Sequence, residues 1–178
     1  GVGSFSVTFF VPAAATTVFK MDAVGASFVI STGYICAIFL NLLFGYLMDH
    51  YNKWIVLSSL VVLLIPASLA MTSENELVFR IATAVVLAGG FTATNQVYGL
   101  AASVLSGREI GNVMGMLGLG AGISGYVGPQ VLGMLRDWTK GFSAGWYLMA
   151  GIALLTLIEL LLLRRHSEKQ QAEREPAT

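Results

Sequence analysis

The chain has 178 residues, 56% of them hydrophobic and only 11% charged, with ten basic and ten acidic side chains and no formal net charge. A soluble domain carries about a quarter charged residues, so these values and a mean hydropathy of +0.75 exclude a soluble globular protein. Basic residues are too few and too scattered for a nucleic-acid surface.

A helix that crosses the hydrocarbon core needs about 20 mainly apolar residues. Six stretches qualify in chain order: Gly1–Phe19, Val24–Met48, Trp54–Met71, Leu77–Leu105, Ile110–Leu135 and Ala144–Leu163. They are too long and continuous for barrel strands, which need about ten alternating residues each. The expected fold is therefore all-α and membrane-integral, with six transmembrane helices over residues 1–163. Residues 164–178 form a polar tail of mixed sign, expected to be a frayed helix end leading to disorder. The chain opens on Gly1 inside an apolar segment, so the expectation is the C-terminal part of a longer polypeptide.

Two of the spans close on the same pattern. G-x-L-x-D occurs at Gly45, Leu47 and Asp49, and again at Gly133, Leu135 and Asp137, eighty-eight residues on. Each copy ends the second apolar run of a triplet, so the chain divides into repeats over 1–71 and 77–163. Three spans per unit force the second unit to cross in the opposite sense, the inverted-repeat plan of many secondary transporters. With the tail on the cytoplasmic side, Lys53, Arg108, Arg164, Arg165, Lys169 and Arg174 lie inside and Lys20, Arg80, Arg136 and Lys140 outside. The excess, and above all the Arg164–Arg165 pair abutting the last span, places the C-terminus in the cytoplasm.

Polarity separates the spans. The third and sixth are apolar on all faces and suit a lipid-exposed place. The fourth carries Thr92, Thr94, Asn95, Gln96 and Tyr98, the second Ser31, Thr32, Tyr34 and Asn41, and the fifth Asn112, Ser124, Tyr126 and Gln130. The first contributes Ser4, Ser6 and Thr8. Amides are costly in hydrocarbon unless they face other helices or a wet cavity. Interhelical hydrogen bonding of about 0.6 kcal/mol each is the plain explanation for such groups; Ser and Thr can also bond their own backbone. The convergence of Asn95, Gln96 and Tyr98 at mid-depth marks them as candidate solute contacts, with Thr92, Tyr34 and Ser124 beside them.

In the fifth span Gly111, Gly115, Gly118, Gly122 and Gly125 recur at steps of four and three, a flat face that another helix can approach closely. It reads either as static tight packing or as a seam that can slide. Gly120, Gly122 and Gly125 also spell G-x-G-x-x-G, but no strand precedes them, so no dinucleotide site is implied. Gly122, Ser124 and Gly125 spell the G-x-S-G of rhomboid proteases, yet no later span holds the histidine base and His166 lies beyond the last one. Cys36 is the sole cysteine, and neither His50 nor His166 has metal-ligand spacing around it. No catalytic residue, cofactor or metal site is expected, and the protein is read as a transporter, not an enzyme.

The run from Gly45 to Trp54, GYLMDHYNKW, resembles the loop motif of the major facilitator superfamily, roughly G-x-L-x-D-[RK]-x-G-[RK]-[RK]. Gly45, Leu47, Asp49 and Lys53 match; His50 stands in a basic position, Asn52 where the family has glycine, and Trp54 at the third basic position. Arg108, Gly111 and Gly115 resemble the entry to that family's eleventh helix, and residues 125–151 are similar to the end of its eleventh and start of its twelfth. That wording is most similar to the organic-anion branch, with its anion:cation symporters. The resemblance implies helices seven to twelve of a twelve-helix fold, a six-helix N-terminal half as partner, and a bacterial inner-membrane setting. It implies a gating role for Gly45, Asp49, Lys53 and Arg108, with Asp49 pairing with a helix N-terminus of the other half. It also implies that the first, second, fourth and fifth spans line a central cavity while the third and sixth lie outside it.

The expected function is secondary transport of a small polar solute, an organic anion, by alternating access with proton coupling. A non-transporting six-helix scaffold is the counter-reading; a drug:proton antiporter or a sugar symporter are alternatives among carriers. Glu159, inside the sixth span, is the candidate coupling carboxylate. Arg80 follows Glu76 by four residues, so a local ion pair explains it without any solute.

Overall fold

A computed structural model describes the backbone of residues 2–104 and 108–174 and the side chains of residues 6–103 and 109–166. Among these the chain forms six helices: α1 Val2–Val18, α2 Ala23–His50, α3 Lys53–Ala70, α4 Glu76–Val104, α5 Arg108–Thr139 and α6 Ser143–Arg174. Five of them are long and apolar enough to cross a membrane. α1, at 17 residues, is about 26 Å long at 1.5 Å per residue, the short end of the spanning range.

Asp and Asn side chains set the helix starts. Asp22 accepts from the Gly25 N–H at 2.9 Å, Asn52 from Trp54 at 3.0 Å, and Asn75 from Leu77 at 2.9 Å. Each satisfies an N–H that the first helical turn would leave bare. Asn52 explains one departure from the loop motif: where the family has glycine, this chain uses the position to cap α3. Lys20 and Lys140, at φ 51° and 56°, take the left-handed conformation just past α1 and α5, the usual way a helix is stopped.

One end of the bundle gathers three connections. The Phe19 and Phe79 rings lie 4.8 Å apart, the Arg80 guanidinium reaches Met21 Sδ at 3.9 Å, and a depression of about 280 Å³ is ringed by Phe19, Thr72, Glu74 and Lys140. Residues 19–22, 71–75 and 140–142 therefore share this end, called upper here. The turn at Tyr51 and Asn52 lies at the lower end. Asp49 and Asp137 consequently stand at opposite ends of the bundle.

Packing centres on α1. Val7, Val11, Ala14 and Ala15 are fully buried or nearly so, and the Phe10 ring lies tilted against Phe142 at 5.1 Å and edge-on to Trp146 at 5.3 Å. Trp146 also meets Phe79 edge-on at 6.3 Å, so one aromatic chain ties α1, α4 and α6 together. α2 packs most extensively on α4, and α3 on α6 and α4. α5 leans chiefly on α1 and touches α4 and α6 sparsely. The outward faces of α3 and α6 are rows of exposed leucine, isoleucine and valine, among them Val62, Leu63, Leu155 and Leu162.

One expectation changes. The tail is not frayed where it leaves the last apolar run: α6 stays helical to Arg174. Residues 164–174 are rich in Arg, Glu, Gln and Lys and free of Gly and Pro, so propensity carries the helix on. Four glycines of the α5 face are open among the described residues. A Cβ added at Gly111, Gly115, Gly118 or Gly122 would meet no atom within 4 Å. By contrast, one at Gly33 would lie 2.8 Å from Leu87 Cδ1. The close helix approach that glycine permits is thus used between α2 and α4.

Candidate functional site

The polar side chains of the spans divide between two places. The first is a stripe across α1, α2 and α4. Near the helix midpoints the Tyr34 and Thr8 hydroxyls lie 2.9 Å apart, and the Tyr34 ring packs at 5.1 Å on Phe91. Two turns along α2 toward the lower end, Asn95 Nδ2 donates to Asn41 Oδ1 at 3.0 Å, and Asn41 Nδ2 donates to the Ala37 carbonyl at 2.8 Å. Asn41 is half-buried and Asn95 exposed. The chain of amides fixes Asn95 in place while leaving the residue open to the surface. Tyr34 and Asn41 are seven residues apart, two helical turns, and so share one face of α2.

The second place lies behind α5. Tyr98, Thr94 and Ser124 line an apolar cavity of about 370 Å³ with Leu57, Val61 and Leu160. Within the cluster Asn95–Gln96–Tyr98, Asn95 bonds to Asn41 of α2, Tyr98 lines the cavity beside α5, and Gln96 is half-buried. Thr92 is fully buried, and its Oγ1, like that of Thr83, has no hydrogen-bond partner. It does not present itself to a solute. Asn41 and Thr8 carry the stripe as much as Asn95 does, and the sequence reading left both out of the candidate set. The seven-residue spacing from Tyr34 to Asn41 was the available signal.

At the lower end, Gly45 is open on one side, with no atom within 4 Å of an added Cβ, and Asp49 is exposed. His50 stacks on Tyr46 with ring centroids 4.0 Å apart and its Nδ1 lies 2.9 Å from the Tyr46 carbonyl oxygen. Lys53 is half-buried at the first position of α3. The side chains of Arg108 and Ser4 lie outside the described residues. Glu159 is exposed on α6. Arg80 pairs with Glu76 at 2.7 Å, the local ion pair expected from their spacing. Among the described residues no group of three His, Cys, Asp or Glu could hold a metal ion.

A bundle of bilayer-length apolar helices with a hydrogen-bonding stripe at mid-depth has the build of an integral membrane transporter. Comparison of the sequence with family profiles agrees: the Major Facilitator Superfamily profile matches residues 1–178, and the chain belongs to that family of transmembrane transporters. Among curated proteins it is 30% identical over 109 residues to one from Agrobacterium vitis named "Putative tartrate transporter". The match covers 60% of this chain and 24% of that protein, so the chain spans only part of the relative's length. No solved structure matches the chain.

Proposed function

We propose that this chain is the C-terminal six-helix lobe of a secondary transporter that moves a small hydroxylated organic anion by alternating access. The observation that carries the reading is the Thr8–Tyr34 and Asn41–Asn95 stripe, which offers hydroxyl and amide groups at mid-depth on α1, α2 and α4. Such groups are expensive in hydrocarbon unless they face a wet cavity or another polar surface. The stripe is neutral: residues 6–18, 24–48 and 81–103 hold no charged side chain. This lobe therefore recognises the solute's hydroxyl groups, and the charge that balances its carboxylate belongs to the N-terminal half. The A. vitis relative, named for a dihydroxy dicarboxylate, supports that class of solute.

The rest of the assignment follows the same plan. Residues 1–71 and 77–163 are two inverted three-helix repeats, with Asp49 and Asp137 as their corresponding ends. The lower end is cytoplasmic, as is α6 beyond Leu163, and the membrane is the bacterial inner membrane. Asp49 pairs with the positive N-terminal end of a helix in the other half and steadies one conformation. The open glycine face of α5 meets that half as it rocks, and proton movement drives the cycle, with Glu159 as the carboxylate to test first.

Reconstitution of the full-length transporter in liposomes tests the reading. Labelled tartrate should accumulate when an inward proton gradient is imposed, and Asn95→Leu should raise KM about tenfold, the loss of roughly 1.4 kcal/mol of solute binding. Wild-type liposomes that take up no labelled hydroxy acid under any gradient would overturn the function. Unchanged kinetics in Asn95→Leu and Asn41→Leu would remove the stripe from the site.

A further inference from the structure

The space behind α5 differs in kind from the stripe. The cavity of about 370 Å³ that Tyr98 and Ser124 line is continued by a second of about 480 Å³, and the two share Gly120 and Ser124. Together they form one cleft along the inward face of α5. On α6 its wall runs from Leu148 to Leu160, a rise of about 18 Å, more than half the hydrocarbon thickness of about 30 Å. The cleft lies within helices of spanning length and opens sideways where Met116, Ile123 and Val127 are exposed. It is thus continuous with exposed apolar surface of α5.

Three of its hydroxyl groups are turned inward on their own helices, and Ser6 and Tyr98 complete its polar lining. Thr94 donates to the Gly90 carbonyl, Ser124 to that of Ala121 and Thr156 to that of Ile152, each at 2.9 Å. A hydroxylated anion would find few polar groups and no charged side chain there, and water would face walls that are mainly apolar. Hydrocarbon gives up no hydrogen bonds on entry and restores the dispersion contacts that an empty cleft forfeits. We propose that the cleft behind α5 takes one acyl chain of a membrane phospholipid as a resident of the lobe, separate from the transported solute. The chain fills the gap that keeps α5 off α3, α4 and α6.

The test uses the full-length transporter in liposomes containing a phosphatidylcholine with a photoreactive diazirine midway along one acyl chain. After illumination, peptide mapping should find adducts on the cleft-facing residues Leu117, Ala121 and Leu160 as well as on the outer face of α6. Gly120→Leu places a side chain in the open space recorded beside that residue; it should lower the cleft adducts roughly threefold by filling the void and spare those at Leu155 and Leu162. Ser124→Leu serves if the first variant folds poorly, and the wild-type map decides the matter without either. Adducts confined to the outer face would overturn the proposal. So would cleft adducts that saturating tartrate removes, since the cleft would then belong to the solute's path; that result leaves transport itself standing. Absence of uptake with intact cleft labelling would instead sink the transport reading alone.

Discussion

The α2–α4 pair and α5 are built from the same residue types, glycine, hydroxyl and amide, and put them to opposite uses. Between α2 and α4 glycine lets the helices close: Gly33 takes the Leu87 side chain against its backbone, and the Asn41–Asn95 bond crosses the seam. On α5 the glycines face open space, while the opposite face stands off from α3, α4 and α6 across the cleft. Small residues in a membrane helix therefore announce a close approach without saying to what. One helix pair is consolidated against its neighbour; the other surface stands open.

The sharpest way to break this contrast is to fill both kinds of glycine position. Gly33→Leu should overpack the α2–α4 seam by about 1–3 kcal/mol or more, visible as loss of folded protein in detergent thermal-shift assays. An unshifted melting temperature would show that the seam is softer than its contacts imply. Asn41→Leu and Asn95→Leu should each weaken transport, and the double variant should fall short of additivity by about 0.6 kcal/mol, the usual coupling of an interhelical bond. Full additivity would mean that the two amides act independently. Thr92→Val removes a buried hydroxyl with no partner and should stabilise the lobe by about 1 kcal/mol. A destabilised Thr92→Val would point to a hydrogen bond that forms in another conformation. Asn52→Ala should cost about 1 kcal/mol through loss of the α3 cap, read in the same thermal assay. Gly115→Ala and Gly118→Ala should leave the melting temperature of the lobe nearly unchanged and slow uptake instead, because the face they crowd is open here.

Much of the architecture was legible because hydrocarbon imposes length. Among the described residues each of the six apolar runs forms a helix, and α2, α3 and α4 start next to Asp22, Asn52 and Asn75, whose side chains cap them. The end of α6 was missed because polarity was read as a stop, although Glu, Lys, Gln and Arg are good helix formers outside a membrane as well as inside. The site was half legible. Asn95 stood out as an amide at mid-span, but its partner depends on the register of α4 against α2, which no single helix encodes. Tyr98 and Ser124 read as polar, and their place on an apolar cleft emerges only once α5 is seen to stand apart. The glycine face of α5 was visible as a pattern, and its lack of a neighbour in this chain was not.

The link between α2 and α3 is only Tyr51 and Asn52, and both are engaged: the Tyr51 N–H bonds to Leu47 O at 2.8 Å and the Asn52 side chain holds the start of α3. So short and tied a joint leaves no slack. A tilt of α2 hauls α3 along, and α3 drags α6, against which it lies for much of its length. With α4, which packs against both α2 and α3, four helices would then swing like a single door leaf.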